Sequence, residues 1–250
     1  MMRSAWIGYE PREAEAFAVA RQTLKKKSAG VSIHALHLET LRKGGLYTRP
    51  TSTVRGQMWD DISDAPMSTE FAISRFLVPY LARSGWALFM DCDMLVRHDV
   101  SELFALADPS KAVMCVQHQY EPAEHTKMDG QAQTAYARKN WSSVILFNCD
   151  HPANQALTVE LVNTVPGRDL HRFCWLTDDL IGALPGKWNY LAEVQALTED
   201  PAIVHYTLGH PNMPGHEFAP YAHEWRSELL QWLGESVPAR GRPTTWTKAA

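Results

Sequence analysis

Residues 86–90, Trp-Ala-Leu-Phe-Met, form an unbroken apolar run that stops at Asp91-Cys92-Asp93. A strand buried on both faces of a parallel sheet reads as such a run. In open α/β sheets the ligand crevice lies at the carboxyl ends of the strands, so the two carboxylates stand where a site is expected. Alternate residues of an extended chain point the same way, and Asp91 and Asp93 can therefore offer oxygens to one hard cation. A strand-end turn that merely uses two acidic residues is the plainer reading. It leaves two like charges close together with nothing to neutralise them.

The segments before and after this run supply the rest of an α/β chain. Residues 5–9 read as a short strand, 12–26 as a helix with Pro11 in its first turn, and 31–38 as a second strand, the β-α-β unit of a parallel sheet. Residues 40–67 have no period and read as a long surface excursion. Ser68 or Thr69 can cap a helix carrying Ile73, Phe76, Leu77, Tyr80 and Leu81 on one stripe, which Pro79 should kink or shorten. Beyond Asp93 come a short helix (100–106), a strand (112–116), a polar aperiodic stretch (118–139), a strand (143–148) and a helix (152–162). A second irregular zone (166–188), a strand (202–206) and a helix (221–233) complete the pattern.

Nothing in the chain has the composition of an interdomain linker, so one domain over residues 1–233 is expected. A disordered tail rich in Pro, Gly, Arg and Thr is expected over 234–250. The formal charge of −4 offers no basic field for nucleic-acid phosphates. Cys92, Cys115, Cys149 and Cys174 show no C-x-x-C spacing and read as reduced thiols. No secretory leader and no run of membrane-spanning length is visible. A cytoplasmic protein with no transmembrane segment is expected.

An apolar strand ending in Asp-x-Asp fits two chemistries. In an aspartyl-phosphate phosphohydrolase Asp91 would attack phosphorus, with Asp178 or Asp179 for Mg²⁺. In a nucleotide-sugar site the pair would hold a divalent cation on a diphosphate. Two β-α steps precede the pair, and Met94-Leu95 follows it rather than Gly-Thr, both unlike the phosphohydrolases. His205 ends the late strand, and a His joined to two Asp makes a mixed oxygen and nitrogen set that suits Mn²⁺ better than Ca²⁺. A hydrogen-bonded core histidine is the alternative. Gly209 in the loop that follows permits close backbone approach to phosphate.

The order of these motifs, from about Trp6 to Pro211, resembles the GT-A-fold glycosyltransferases, and within them the family 8 type that includes glycogenin and bacterial galactosyltransferases. The resemblance implies a mostly parallel sheet flanked by helices and transfer of a sugar from a nucleoside-diphosphate sugar, UDP-linked first of all, to an acceptor hydroxyl on a glycan, lipid-linked or small molecule. It implies that Gly8 and Tyr9 seat the base and that Arg75 faces the donor. Asp91, Asp93 and His205 would hold Mn²⁺ or Mg²⁺. Asn140, Ser142 and Ser143 match its Asn-Ser-Gly strand entrance, with a residue inserted. Asp178 and Asp179 match its Asp-Gln pair near the reacting sugar, and Trp188 and Asn189 the segment after it. The family's Lys on the diphosphate is absent. His210, beside Gly209, or Lys127 from the polar stretch would take its place, and residues 127–131 form a candidate lid over the acceptor. The altered loop keeps a non-catalytic nucleotide-sugar-binding domain open as a further reading.

Overall fold

The computed structural model describes residues 2–119, 138, 140–197 and 199–236. Lys127, the candidate lid at 127–131 and the tail from 237 onward lie outside the described residues. The chain runs β1 (Arg3–Gly8), α1 (Ala14–Lys26), β2 (Ser32–Leu36), α2 (Leu38–Lys43), β3 (Thr51–Val54), β4 (Gln57–Asp60), β5 (Ala65–Pro66), α3 (Val78–Ala82), β6 (Trp86–Met90), β7 (Met94–Val96) and α4 (Val100–Ala105). It continues through β8 (Val113–Cys115), β9 (Val144–Asn148), α5 (Val159–Thr164), α6 (Gly167–His171), β10 (Ile181–Ala183), β11 (Tyr190–Leu191), β12 (Ile203–His205) and α7 (Ala222–Ser236), with short 3-10 turns between.

The main sheet has the order β10-β8-β9-β6-β1-β2. The pairs β1/β2, β1/β6 and β8/β10 are parallel, and β9 runs antiparallel to both its neighbours. The expected mostly parallel sheet flanked by helices is the observed one. Every residue of β6 is buried, because it has strand partners on both edges and core on both faces, and so its sequence shows no alternation. Helix α1 serves two cores. Ala20 and Leu24 face the main one, while Ala16 and Val19 meet Trp225 and Leu229 of α7 in a second. Among the described residues no helix is long and apolar enough to cross a membrane.

After Asp93 the chain leaves the main sheet. β7 joins a three-stranded sheet of order β11-β12-β7, pairing antiparallel with β12 so that His205 stands opposite Met94. The Tyr206 amide donates to the Asp93 carbonyl at 2.9 Å. This register returns the late strand to the end of β6 and sets His205 beside the acidic pair.

Several local expectations differ from the structure. Residues 40–67 are not an open excursion: they form α2's end and an antiparallel sheet, β3-β4-β5. A fully buried Arg49–Asp60 pair pins this sheet, with Arg49 Nη1 donating to the Val162 and Val165 carbonyls at 2.8 Å each. The helix expected over 68–81 is broken into turns, a 3-10 segment and α3. At Pro79 the helix is shortened rather than kinked: the proline occupies the first turn of the five-residue α3, where a missing N–H costs nothing. Residues 152–162 likewise divide, because Thr158 caps a new helix by accepting from the Leu161 amide at 3.1 Å. α7 runs on through Gly234 to Ser236.

Candidate functional site

Where β6 ends, its backbone is still tied to β9: the Asp91 amide donates to the Ser143 carbonyl at 3.0 Å. The Asp91 and Asp93 side chains open onto a polar cavity of about 260 Å³ also lined by Glu13, Arg75, Asn140, Ser142, Ser143, His171 and His205. One ligand atom from each of Asp91, Asp93 and His205 falls within 4.8 Å of the others.

The His205 ring is oriented from behind by a chain of hydrogen bonds whose directions can be assigned. The Ser143 hydroxyl donates to the Asn140 carbonyl at 2.8 Å, so its oxygen accepts from Asn189 Nδ2 at 2.9 Å. That fixes the Asn189 amide and leaves Oδ1 facing His205 Nδ1 at 3.0 Å. An amide oxygen only accepts, so Nδ1 carries the proton and Nε2 points at Asp93 Oδ1, 3.3 Å away. A ligating histidine is normally held through its other nitrogen in this way.

Arg75 is 5% exposed and is held by three kinds of contact. Nε donates to the Ala72 carbonyl at 3.0 Å and Nη1 to the Ser142 carbonyl at 2.7 Å. Its guanidinium lies 4.8 Å from the Phe89 ring centre. Nη1 also stands 2.7 Å from Asp91 Oδ1, yet that oxygen receives no hydrogen bond, and neither does Asp93 Oδ1. Two buried carboxylate oxygens without donors are costly, and with the His205 nitrogen they form a donor set that fits a divalent ion of the Mn²⁺ or Mg²⁺ kind.

The charges respond to this arrangement. Burial pushes the Asp91 carboxyl up to about 6; Arg75 opposes the rise and Asp93 adds to it. For Asp93, burial acts upward but is outweighed by the nearby His205 charge, so its pKa lies below the usual value. Burial would lower His205, and Asp93 more than reverses it. Glu13 is driven up to about 7 by burial and then by Asp93. One of its oxygens accepts from the Cys92 thiol at 3.4 Å.

Not all the expected residues gather here. Asn140 lines the cavity with a left-handed backbone, φ 62°, and Ser142 and Ser143 line it too. Asn189 stands behind His205 rather than in the cavity. Trp188 is wholly buried, since its indole packs into the main core. Gly8 makes room for Phe71, whose ring carbon would lie 2.3 Å from an added Cβ. Tyr9 packs on Phe17 and His37 and borders a different groove, between α1 and α7. Gly209 accommodates His216 at φ +153°. His210 is buried, stacked 5.1 Å from Trp225, and burial lowers its pKa, so it offers the cavity no cation. Asp178 and Asp179 sit in an exposed turn before β10. Asp178 pairs there with Arg138, and neither carboxylate lines the cavity.

Glu13, Thr69, His171 and Thr207 line the cavity without having been anticipated. Glu13 had a readable signal, since it follows the carboxyl end of β1. His171 had none, lying in an aperiodic stretch.

No protein-family model matches the chain. Protein CDI of Arabidopsis thaliana is 44% identical to it over 238 residues, 92% of this chain and 87% of that one. Among solved structures, the galactosyltransferase LgtC, in complex with donor and acceptor sugar analogs, superposes with TM-score 0.58 at 13% identity, covering 94% of this chain and 98% of LgtC. The glycosyltransferase GlyE of Streptococcus pneumoniae TIGR4 gives 0.54 at 14% identity, covering 97% of this chain. The bifunctional WbbM gives 0.59 at 11%, covering 93% of this chain. The chain spans 66% of GlyE and 51% of WbbM. These likenesses fix the fold as that of the GT-A glycosyltransferases. With nearly half its residues shared along almost its whole length, the chain belongs to the family of Protein CDI.

Proposed function

We propose that this protein is a metal-dependent glycosyltransferase that moves a hexose from a nucleoside-diphosphate sugar, a UDP-sugar first of all, to an acceptor hydroxyl. The observation that carries this reading is the pair of buried, donor-less oxygens of Asp91 and Asp93 facing His205 at the carboxyl edge of a GT-A sheet. These three residues would hold Mn²⁺, or Mg²⁺ in its place, and a bound divalent ion neutralises the charge that develops on a departing diphosphate. Arg75 adds a fixed positive charge that needs no reorganisation. Asn189 keeps His205 in the tautomer with Nε2 free. Asn140, Ser142 and Ser143 offer polar groups to the donor. The position of Asp178 and Asp179 outside the cavity takes away the second acidic motif that an aspartyl-phosphate phosphohydrolase would use. The four cysteines are all free, which fits a reducing compartment, and we place the protein in the cytoplasm.

Asp93→Asn tests the reading. In the unmodified protein, Mn²⁺ with UDP or a UDP-sugar raises the melting temperature by mass action. The variant is expected to lose that Mn²⁺ response and at least about 100-fold in transfer, more than is typical when only a group behind a ligand is lost. Its metal-free melting temperature stays within a few degrees. An unchanged Mn²⁺ response sinks the assignment. Donor binding with neither transfer nor slow donor hydrolysis shifts it to a non-catalytic nucleotide-sugar-binding domain.

A further inference from the structure

His171 stands in the wall of the cavity that the acidic Asp178-Asp179 turn does not reach. Its helix, α6, is fixed against the body of the protein: Leu170 is fully buried, and the Gly167 amide donates to Ser63 Oγ at 2.8 Å. The imidazole is held on two sides. Nδ1 shares a hydrogen bond of 2.7 Å with Ser142 Oγ, and the ring meets Phe76 edge-on, 5.2 Å between centroids at 79°. Nε2 has no partner among the described residues and is not among the buried unpaired atoms, so it is accessible, on a residue that lines the cavity. Burial, and then the Arg75 charge, lower its pKa to about 3, which keeps the ring neutral at physiological pH.

A neutral imidazole next to an arginine is the weaker partner for phosphate, since it brings no charge and a donor in only one tautomer. A phosphate oxygen only accepts hydrogen bonds and is drawn to the guanidinium. A hydroxyl donates and accepts, so it satisfies Nε2 in either tautomer. The Ser142 residue whose hydroxyl holds His171 also gives its carbonyl to Arg75 Nη1 at 2.7 Å. His171 is therefore one residue away from the charge that would face the diphosphate. The groups flanking the diphosphate in a nucleotide sugar are the ribose and the sugar; the resemblance puts the base at the end of β1, on one side of β6, and His171 is held from Ser142 at the entrance of β9, on the other, which leaves it the sugar. We infer that His171 reads a hydroxyl of the donor's sugar through Nε2, making it a specificity-determining residue, with Ser142 holding the ring from behind. The inference rests on the transferase reading given above.

Calorimetric titration in Mn²⁺, without acceptor, separates the two. The probes are UDP, UDP-glucose and UDP-galactose, and GDP with GDP-mannose. His171→Asn keeps an amide near Nδ1 for Ser142 and removes the Nε2 contact; His171→Gln places an amide near Nε2. The nucleoside diphosphate is expected to bind all three proteins within about twofold. The extra affinity of its best sugar conjugate falls about tenfold in His171→Asn, the size of one neutral hydrogen bond, and returns in large part in His171→Gln. Equal loss for the diphosphate and its conjugate, or no change in either, overturns the assignment. So does a loss confined to transfer, which would give His171 to the acceptor. If the unmodified protein binds neither nucleotide, the transferase reading itself fails and takes this inference with it.

Discussion

Arg49–Asp60 and Arg75–Asp91 are both buried arginine–aspartate pairs, and their carboxyls titrate in opposite directions. At Asp60, burial pushes the pKa up but is outweighed by hydrogen bonds from Arg49 and Ser63, and the net shift is downward. The fork is bidentate, with Nε to Oδ1 at 2.8 Å and Nη2 to Oδ2 at 2.5 Å, and the Ser63 amide adds a third bond at 2.9 Å. At Asp91 burial wins, and the pKa rises to about 6. Arg75 comes as close, 2.7 Å, but off the hydrogen-bonding direction, with Nε and Nη1 donating to the Ala72 and Ser142 carbonyls instead. The first pair is closed on itself and holds the β3-β4-β5 sheet to α5. The second is left short of donors on the cavity side, beside a second carboxylate. Proximity of opposite charges does not distinguish a staple from a site; hydrogen-bond satisfaction does.

The largest expected effect tests the closed side. Asp60→Asn strands a guanidinium that is 0% exposed, and breaking one partner of such a pair costs about 3–5 kcal/mol. Asp91→Asn removes a charge that the fold already disfavours, and a change of about 1 kcal/mol or less is expected. Urea midpoints of the two variants at pH 7 decide it. Equal losses would mean that Arg75–Asp91 is also a staple, and the contrast would collapse.

A smaller effect is expected from pH. Glu13 faces the open pair with a folded pKa of about 7 against an ordinary value of 4.5. Folding therefore favours its protonated form. Its contribution to stability is complete below about 4.5 and is lost as pH rises through about 7. In chelator-treated protein, the difference in stability between the unmodified chain and Glu13→Gln should move in favour of the variant from pH 5 to pH 8. A difference that stays constant over that range would remove Glu13 from the electrostatics of the cavity.

The contrast also explains what could be read in advance. β6 was legible because burial on both faces leaves an unbroken apolar run, and the meeting of Asp91, Asp93 and His205 could be looked for because the pair lies just beyond the end of β6 and His205 ends β12. The β3-β4-β5 sheet was not. β3 is largely exposed and β4 mostly half-buried, so neither carries a buried/exposed alternation, and what holds the sheet is an ion pair and contacts to α5 more than a hundred residues later. Helical spacing over 68–81 was overridden by Pro79, which begins a helix instead of bending one. In the site, Trp188 and His210 were plausible by type, but Trp188 is buried in the main core and His210 is buried against Trp225. Asp178-Asp179 was plausible by adjacency, but its turn faces outward. His171 occupies the wall that pair was expected to fill, and only the packing of α6 brings it there.

The smallest expected effect sharpens the open side from behind. The Ser143 hydroxyl is the middle link between Asn140 and Asn189, and through Asn189 it sets the tautomer of His205. Ser143→Ala leaves Asn189 Nδ2 a longer contact of 3.4 Å to the Asn140 carbonyl, so the amide is loosened rather than freed. Two hydrogen bonds are lost, one of them partly replaced by that contact, and a stability loss of about 1–2 kcal/mol is expected. Mn²⁺ affinity, read from the metal dependence of the melting temperature, should fall about tenfold, the low end for a group that orients a ligand. Loss of stability with an unchanged metal response would make this chain of bonds a staple like Arg49–Asp60, leaving only the carboxylates to define the open site.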